Sequence, residues 1–249
     1  MRNETLGDGP VLGVFAHPDD AEIACGATLS KLAAAGRDVR LLVLTNGDRG
    51  SQDPALDRAA LAETRRGECE RGVRVMGIAG VTVLDTHDGE LENSPTIRAR
   101  VVRAVRELRP TTVISCDPTA WFFENTESRL NAGPAGFYNH SDHRTAGVIA
   151  LDSVYPGAGN PHYFAEHLAE GLRPWDVYDV WLGWTNEPNH HEDVTGFVDR
   201  KVDALLAHES QVTGDGIRFF REWLPREAEE AGAKIGVAHA ESFRVLDLS

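Results

Sequence analysis

Short apolar runs alternate with helical patterns along this chain, and that alternation limits its possible folds more than any other feature. Residues 10–16 form an apolar run that fits a strand buried on both faces. Apolar residues then recur at helical spacing up to Gly36, a residue type typical of helix C-termini, and residues 39–44 are apolar again. This succession of strand, helix and strand predicts a right-handed βαβ crossover between parallel strands.

The same alternation continues up to Cys116. Residues 69–76 carry a helical apolar stripe, and residues 81–84 form another strand-like run. Ser94 and Pro95 are residue types preferred at the start of a helix, and a fourth apolar run ends at Cys116. Strands separated by helices in this way predict an α/β fold, with a Rossmann-like, doubly wound, mostly parallel sheet and helices on both faces.

The C-terminal third adds further strand and helix patterns, and no segment of it has the composition of an interdomain linker. We therefore expect a single domain over residues 1–249, with a Rossmann-like core at about residues 10–155 and a C-terminal elaboration at about residues 156–249. The elements predicted in this third are strands at 177–182 and 243–246 and helices at 198–208 and 217–231.

The composition argues against several classes of protein. A net charge of −14 disfavours binding to nucleic acid. The three cysteines form no Cys-x-x-Cys pair, so neither a disulfide framework nor a thiolate zinc site is expected, and a reducing cytoplasm fits best. We find no signal peptide and no apolar stretch of the length of a membrane span. The acidic surface leaves a homo-oligomer open.

A polar segment, His17-Pro18-Asp19-Asp20, directly follows the first predicted strand. In an open α/β sheet, ligands bind beyond the carboxyl ends of the strands, which is where this segment is expected. His17 and Asp20 are three positions apart and can turn toward one cation, which leaves the Asp19 carboxylate free to act as a general base. Alternatively, Asp19 or Asp20 caps the helix that follows.

A second polar cluster, Asn-His-Ser-Asp-His at residues 139–143, precedes another helical pattern. Two histidines of this cluster, His140 and His143, are three positions apart, and either could simply be a solvated surface residue. The first cluster changes this interpretation. Two histidines and one aspartate would make a three-ligand metal site with an open position for water, which is the arrangement of catalytic rather than structural zinc sites.

Taken together, these motifs resemble the zinc-dependent N-deacetylases related to N-acetylglucosaminyl-phosphatidylinositol de-N-acetylase, the PIG-L/LmbE-like family. The resemblance covers most of the chain and implies removal of an acetyl group from an N-acetylated amino sugar or a similar amide. It rests on Ala16-His17-Pro18-Asp19-Asp20, Thr45-Asn46-Gly47-Asp48, Arg65 with Glu68, His140-Ser141-Asp142-His143 and Ala207-His208-Glu209-Ser210-Gln211.

The resemblance also implies roles for individual residues. It makes His17, Asp20 and His143 the metal ligands and Asp19 the general base, in agreement with the pattern of the two clusters. His140 is expected to stabilise the oxyanion and to assist the leaving amine. A site of this composition accepts Zn²⁺ or Fe²⁺.

Three further residues have expected roles beside the metal. Arg65 and Asp88 fall where relatives bind substrate, although Arg65 could instead form a surface ion pair with Glu63 or Glu68, and Asp88 could be a turn residue. Asp142 lies between the two histidines of its motif, and we hypothesise that it orients one of their rings through the second nitrogen.

The predicted function is metal-dependent deacetylation of an N-acetylglucosamine-containing small molecule, giving a free amine and acetate. One alternative is an amidase acting on a larger amide, such as a thiol conjugate or an antibiotic amino sugar. Another is a catalytically idle sugar-binding module, against which the complete set of metal and base residues argues.

The sequence does not decide between alternative roles for three segments. Residues 187–193, which include His190 and His191, could approach the site, hold a second metal ion or form a solvated loop before a helix. Residues 121–123 are aromatic and could stack on a sugar or anchor their own loop. The long irregular loop at 118–139 is expected to contribute to substrate specificity.

Overall fold

The computed structural model describes residues 8–123 and 137–249. Its strands are β1 (Val11–Phe15), β2 (Val39–Thr45), β3 (Gly80–Thr86), β4 (Thr112–Cys116), β5 (Phe122–Phe123), β6 (Phe137–Tyr138), β7 (Asp179–Gly183), β8 (His190–Asp193) and β9 (Ala240–Asp247). Its helices are α1 (Asp20–Ala34), α2 (Arg58–Met76), α3 (Pro95–Leu108), α4 (Ser141–Asp152), α5 (Glu166–Ala169), α6 (Val198–Leu206) and α7 (Asp215–Ala233), with a π-helical segment at Ser153–Ala158.

The central feature is a seven-stranded sheet in the order β3-β2-β1-β4-β7-β9-β8. Neighbouring strands from β3 to β7 are parallel, and β9 runs antiparallel to both β7 and β8. The short strands β5 and β6 pair with each other in a separate hairpin. The predicted Rossmann-like, doubly wound and mostly parallel sheet is confirmed.

Strand β1 is apolar throughout because both faces of the sheet are covered at this point. Every residue of β1 is buried, and its alternate side chains enter different cores. Val11 and Phe15 pack in a cluster with residues of α1, α2 and α6. Leu12 and Val14 pack on the opposite face with residues of α3 and α4. The apolar run near the start of the chain therefore forms β1, an interior strand of the sheet.

The C-terminal residues extend this same sheet. The strands predicted at 177–182 and 243–246 are observed as β7 and β9, and the helices predicted at 198–208 and 217–231 as α6 and α7. The solvated loop considered for residues 187–193 is wrong for residues 190–193, which form β8 and pair with β9. A sheet edge tolerates polar side chains, so β8 lacks the apolar pattern by which buried strands are found.

The strand order reverses direction between β1 and β4. Strands β2 and β3 follow on one side of β1, whereas β4 and β7 follow on the other. In doubly wound folds the ligand crevice lies at this switch point, beyond the carboxyl ends of the strands. Within the described residues no helix has the length and apolar character to cross a membrane.

Candidate active site

A cavity of about 510 Å³ opens beside the carboxyl ends of the central strands. This volume lies within the range typical of small-molecule sites. The cavity is lined by polar residues of both sequence motifs and by apolar side chains. Its polar residues include His17, Asp19, Asp20, Arg65, Asp88, Asn139, His140, His143 and Gln211.

The turn between β1 and α1 presents the first motif. Asp19 occupies the residue before α1, but its side chain makes no capping hydrogen bond. Asp20 instead accepts a hydrogen bond from the backbone N–H of His17 at 2.8 Å. The capping alternative therefore does not apply to Asp19, and the buried Asp20 carboxylate is fixed beside the His17 ring.

The second motif lies at the start of α4. His140 precedes the helix, and its Nδ1 accepts the N–H of Asp142 at 3.2 Å, which caps the first turn. His143 lies one turn further along. The ring centroids of these histidines are 4.8 Å and 5.1 Å from that of His17, so the fold brings the two motifs together.

The donors around Asp20 fit a divalent metal ion. His143 Nε2 is 3.1 Å from Asp20 Oδ1, and His17 Nδ1 is 3.4 Å from Asp20 Oδ2. Ring nitrogens of His17, His140 and His143 also lie within 4.8 Å of one another. Two imidazoles and a carboxylate this close together are a ligand set suited to Zn²⁺ or Fe²⁺.

His17, Asp88 and Asp142 form a second group of potential metal ligands. Asp88 Oδ1 lies 3.2 Å and Asp142 Oδ2 lies 3.5 Å from His17 Nε2. This is the ring nitrogen opposite to the one beside Asp20. A histidine that binds a metal through one nitrogen commonly directs its other N–H to a carboxylate. We interpret Asp88 and Asp142 as partners of that N–H.

The position of Asp142 differs in one respect from the hypothesis made from the sequence. Its carboxylate reaches His17, on the other motif, rather than orienting a ring of its own motif. The reason is that α4 begins beside the turn after β3, where the N–H of Gly89 donates to Asp142 Oδ2 at 2.7 Å. From the opposite side, Asp48 Oδ1 accepts the N–H of Asp88 at 3.1 Å. These two bonds hold the Asp88 turn against His17.

Arg65 is buried, with 3% of its surface exposed, so the alternative of a surface ion pair is wrong. Its guanidinium donates to Asp19 Oδ1 at 3.1 Å and to the carbonyl of Gly47 at 3.0 Å, and lies 3.8 Å from Asp88 Oδ2. Gly47 has a φ of +65°, and a Cβ atom there would lie 2.6 Å from the guanidinium. The glycine is therefore required for the approach of Arg65 to Asp19.

The electrostatics of the site follow from this arrangement. Burial alone would lower the pKa of His17, but Asp20, Asp142 and Asp88 together hold it well above its ordinary value. Burial of Asp20 would raise the pKa of that carboxyl, whereas His143 and His17 hold it well below its usual range. Burial, together with the neighbouring histidines, lowers the pKa of His140. Asp20 is therefore held in its anionic form.

Of the other segments singled out in the sequence, residues 187–193 do not line the cavity at His190 or His191, and residues 121–123 do so at one position. His190 contacts Glu192 at 3.1 Å and His191 contacts Ser242 at 2.9 Å, and neither lines the cavity. A second metal at residues 187–193 is therefore not supported. Of residues 121–123, only Phe123 lines the cavity. Residues 124–136 of the predicted specificity loop lie outside the described residues.

Several residues to which the sequence analysis gave no role are found at the site. Asn139 is buried, and its Oδ1 lies 2.9 Å from His143 Nδ1. Gln211 lines the cavity next to Ser210, whose N–H and hydroxyl both donate to Glu68, at 2.7 Å and 2.6 Å. Trp184 has a φ of +51°, and its ring centroid lies 4.8 Å from that of His143. Asn139 and Gln211 belong to polar segments that the sequence analysis quoted, whereas no signal in the sequence pointed to Trp184.

Comparison with known proteins gives a consistent result. Residues 12–154 match the family model described as PIG-L, GlcNAc-PI de-N-acetylase. Diacetylchitobiose deacetylase of Thermococcus kodakarensis is 31% identical over 98% of this chain and 86% of its own length. A 1D-myo-inositol 2-acetamido-2-deoxy-alpha-D-glucopyranoside deacetylase of Kineococcus radiotolerans is 29% identical, over 82% of this chain and 69% of its own.

The fold comparison agrees with the sequence comparison. The solved structure of N,N'-diacetylchitobiose deacetylase from Pyrococcus horikoshii, in complex with an inhibitor, superposes with a TM-score of 0.84 at 30% identity. It covers 98% of this chain and 88% of that protein. The family match, the relatives and the shared fold together establish that the chain belongs to the GlcNAc-PI de-N-acetylase (PIG-L) family.

Proposed function

We propose that the protein is a metal-dependent N-deacetylase that hydrolyses the acetamide of an N-acetylglucosamine-containing small molecule to a free amine and acetate. The observation that carries this proposal is Asp19, a carboxylate with no capping role that lies beside the His17, Asp20 and His143 donor set inside the cavity. The names of relatives that deacetylate diacetylchitobiose or a glucosaminyl inositol support the choice of substrate class.

The metal ligands in this proposal are His17 through Nδ1, Asp20, and His143 through Nε2, and we propose Zn²⁺ as the metal, with Fe²⁺ as the alternative. When bound, a divalent ion polarises the amide carbonyl and lowers the pKa of water toward ~7. Asn139 and the carboxylates of Asp88 and Asp142 hold the two imidazole rings in the orientation that binding requires.

Asp19 acts as the general base. Arg65 donates to Asp19 Oδ1 at 3.1 Å, which fixes the carboxylate and leaves Oδ2 to take a proton from the attacking water. The water oxygen bonds to the carbonyl carbon, the C–N bond breaks, and the proton passes from Asp19 to the leaving nitrogen. The products are the amine and acetate.

His140 stabilises the negative charge on the substrate oxygen. Its Nδ1 accepts the N–H of Asp142, so the ring proton of the neutral imidazole lies on Nε2. An N–H at this position can donate to the developing oxyanion and to the amine as it leaves. Arg65 and Asp88, which both line the cavity, are proposed to contact the sugar hydroxyls.

The reaction is proposed to take place in the cytoplasm. Cys25, Cys69 and Cys116 are all free and buried, which fits a reducing compartment.

The test combines metal content with release of amine. We expect Asp19→Asn to retain the metal of the wild type and to lose about 10²–10⁴-fold in kcat on an N-acetylglucosaminyl substrate, because the general base is removed. Asp85→Asn is the matched control, since the Asp85 side chain is 92% exposed on β3, away from the cavity. Wild-type protein that binds metal but frees no amine from any N-acetylglucosaminide would overturn the proposed function.

A further inference from the structure

Trp184, the first residue after β7, lines the cavity from a backbone conformation that is uncommon for a bulky residue. Along β7, Trp181 packs in the core on the α1 side of the sheet and Leu182 in the core on the opposite side. Continued alternation would direct residue 184 to the side of Leu182. Trp184 instead has a φ of +51° and packs in the cluster of Trp181. The left-handed conformation therefore turns the indole ring back to the α1 side, beside the cavity.

Two hydrogen bonds to Asp117 hold this conformation. The N–H of Asp117 donates to the carbonyl of Gly183 at 2.9 Å, and the hydroxyl of Thr185 donates to Asp117 Oδ2 at 2.6 Å. These partners are the residues immediately before and after Trp184. Backbone strain of this kind persists only where the surrounding structure maintains it, and it is concentrated at functional sites. The support that Asp117 gives to both neighbours of Trp184 therefore points to a role for this ring.

The order of the strands places Trp184 on one side of the metal donors and a proposed sugar contact on the other. The first motif follows β1, whereas Asp88 follows β3 and Trp184 follows β7. Strands β3 and β7 each lie two positions from β1 in the sheet, on opposite sides, which corresponds to ~10 Å. Both side chains reach inward. Asp88 lies 3.2 Å from His17, and the Trp184 ring centroid lies 4.8 Å from that of His143.

The end of the cavity beside Trp184 is aromatic. Phe123 and Phe137 line the cavity from the β5–β6 hairpin, and their rings are stacked with centroids 6.4 Å apart. The Asn186 side chain donates to the carbonyl of Phe122 at 2.7 Å, which joins the segment after β7 to this hairpin. Aromatic rings favour contact with an alkyl group and give a charged group no partner.

We propose that Trp184 closes this end of the cavity and restricts the hydrolysed amide to a short acyl group. This inference rests on the proposed function and adds to it the residue that limits the size of the acyl group. The nitrogen and the acyl carbon of an amide lie on different sides of the carbonyl carbon. With the sugar held at Arg65 and Asp88, the acyl group extends from the metal donors toward Trp184. A methyl group is accommodated beside the ring, whereas each further methylene meets it.

The experiment compares the N-acetyl, N-propanoyl and N-butanoyl forms of the glucosaminide whose N-acetyl form the wild type hydrolyses fastest. One methylene in a fitted pocket typically changes kcat/KM by about 10–200-fold. For the wild type we therefore expect kcat/KM to fall at least about tenfold from the N-acetyl to the N-butanoyl compound. Trp184→Gly removes the ring and adopts the left-handed conformation without steric cost. It should raise the ratio of N-butanoyl to N-acetyl turnover at least about tenfold, and Trp184→Phe, which keeps an aromatic ring, should raise it less.

A second variant and a control assign the effect to the position of the ring. Thr185→Val keeps the shape of the side chain but removes its hydrogen bond to Asp117, so it should shift the ratio in the same direction as Trp184→Gly. Tyr178→Gly is the matched control, because Tyr178 is an exposed aromatic residue at the opposite end of β7 and does not line the cavity. Its ratio should equal that of the wild type. A ratio measured within one variant does not depend on how much of the protein carries metal.

The outcomes separate this inference from the proposed function. Equal kcat/KM for the three compounds in the wild type, or an unchanged ratio in folded Trp184→Gly, would overturn the acyl limit and leave the deacetylase intact. If Trp184→Gly does not fold, as judged by circular dichroism, the ratio in Thr185→Val decides between the same two outcomes. A wild type that frees no amine from any of the compounds would overturn the proposed function itself, and the acyl limit with it.

Discussion

Asn139 offers a direct test of how the metal donors are held in place. Its Oδ1 lies 2.9 Å from His143 Nδ1, and its Nδ2 donates to the carbonyl of Ala120 at 2.8 Å. Asn139→Ala removes both bonds and lets the His143 ring turn. Partners of metal-bound histidines typically contribute 10–100-fold in metal affinity, which corresponds to about 1.4–2.7 kcal/mol. Leaving the Ala120 carbonyl without its donor should lower the free energy of unfolding by about 1–3 kcal/mol.

The affinity is measured by titrating metal-free protein with Zn²⁺ in competition with a chromophoric chelator. Asn93→Ala is the matched control, because the Asn93 amide also donates to a side chain, at 2.7 Å from Asp152 Oδ2, but on the exposed surface. We expect the Kd of Asn139→Ala to rise about 10–100-fold and that of Asn93→Ala to stay at the wild-type value. A wild-type Kd for Asn139→Ala, together with reduced stability, would refute the assignment of His143 as a ligand oriented by Asn139.

Three further predictions concern stability. Arg106 is buried, and its guanidinium donates to five backbone carbonyls between residues 157 and 164. Arg106→Leu should lower the free energy of unfolding, measured with urea, by several kcal/mol, because each buried carbonyl left without a donor costs about 1–3 kcal/mol. A loss below ~1 kcal/mol would contradict this prediction. Burial alone would raise the pKa of Asp48, but the N–H of Asp88, together with Arg58 and His87, holds this pKa below its usual range. The stabilisation from the ionised carboxylate is therefore complete above the ordinary pKa of about 3.9 and is lost as the pH falls through the lowered value. The loss of unfolding free energy in Asp48→Asn, measured with denaturant, should therefore shrink in acid, and a loss that does not depend on pH would refute this prediction. In thermal unfolding, Zn²⁺ at ~100 times its Kd should stabilise the metal-free wild type by about 2.7 kcal/mol but leave the stability of Asp20→Asn unchanged. An equal increase in the stability of both proteins would exclude Asp20 as a ligand.

The order of strands and helices could be predicted because each parallel strand is buried on both faces. Such strands are buried along their whole length and carry mostly apolar residues, as in β1 and β4, and the helices between them begin and end at recognisable residues. Ser94, for example, accepts the N–H of Ile97 at the start of α3, as its residue type indicates. Strand β8 could not be found in this way, since its residues are polar and, within residues 8–123 and 137–249, one of its edges pairs with no further strand.

The candidate ligands could be predicted because their spacing is short. His17 with Asp20, and His140 with His143, are each separated by three positions, so local geometry brings each pair to one side of a turn. The contacts that complete the site join distant parts of the chain. Arg65 reaches Asp19 across 46 positions, and only the packing of α2 beside α1 shows that it is buried. The position of Phe219, Phe220 and Trp223 beside the cavity depends likewise on where α7 packs.

The charge of the site argues against the idle sugar-binding module considered from the sequence. Asp19, Asp20, Asp88 and Asp142 surround His17 and its neighbours, whereas Arg65 is the one permanently charged cation bonded within this group in the described residues. Arg65 and His17, whose pKa these carboxylates hold well above its ordinary value, offset only part of the negative charge, and sugar hydroxyls, which are neutral, cannot offset the rest. A divalent ion between His17, Asp20 and His143 offsets two of the remaining charges. The excess of carboxylates is therefore expected of a site built around a metal cation rather than around a sugar alone.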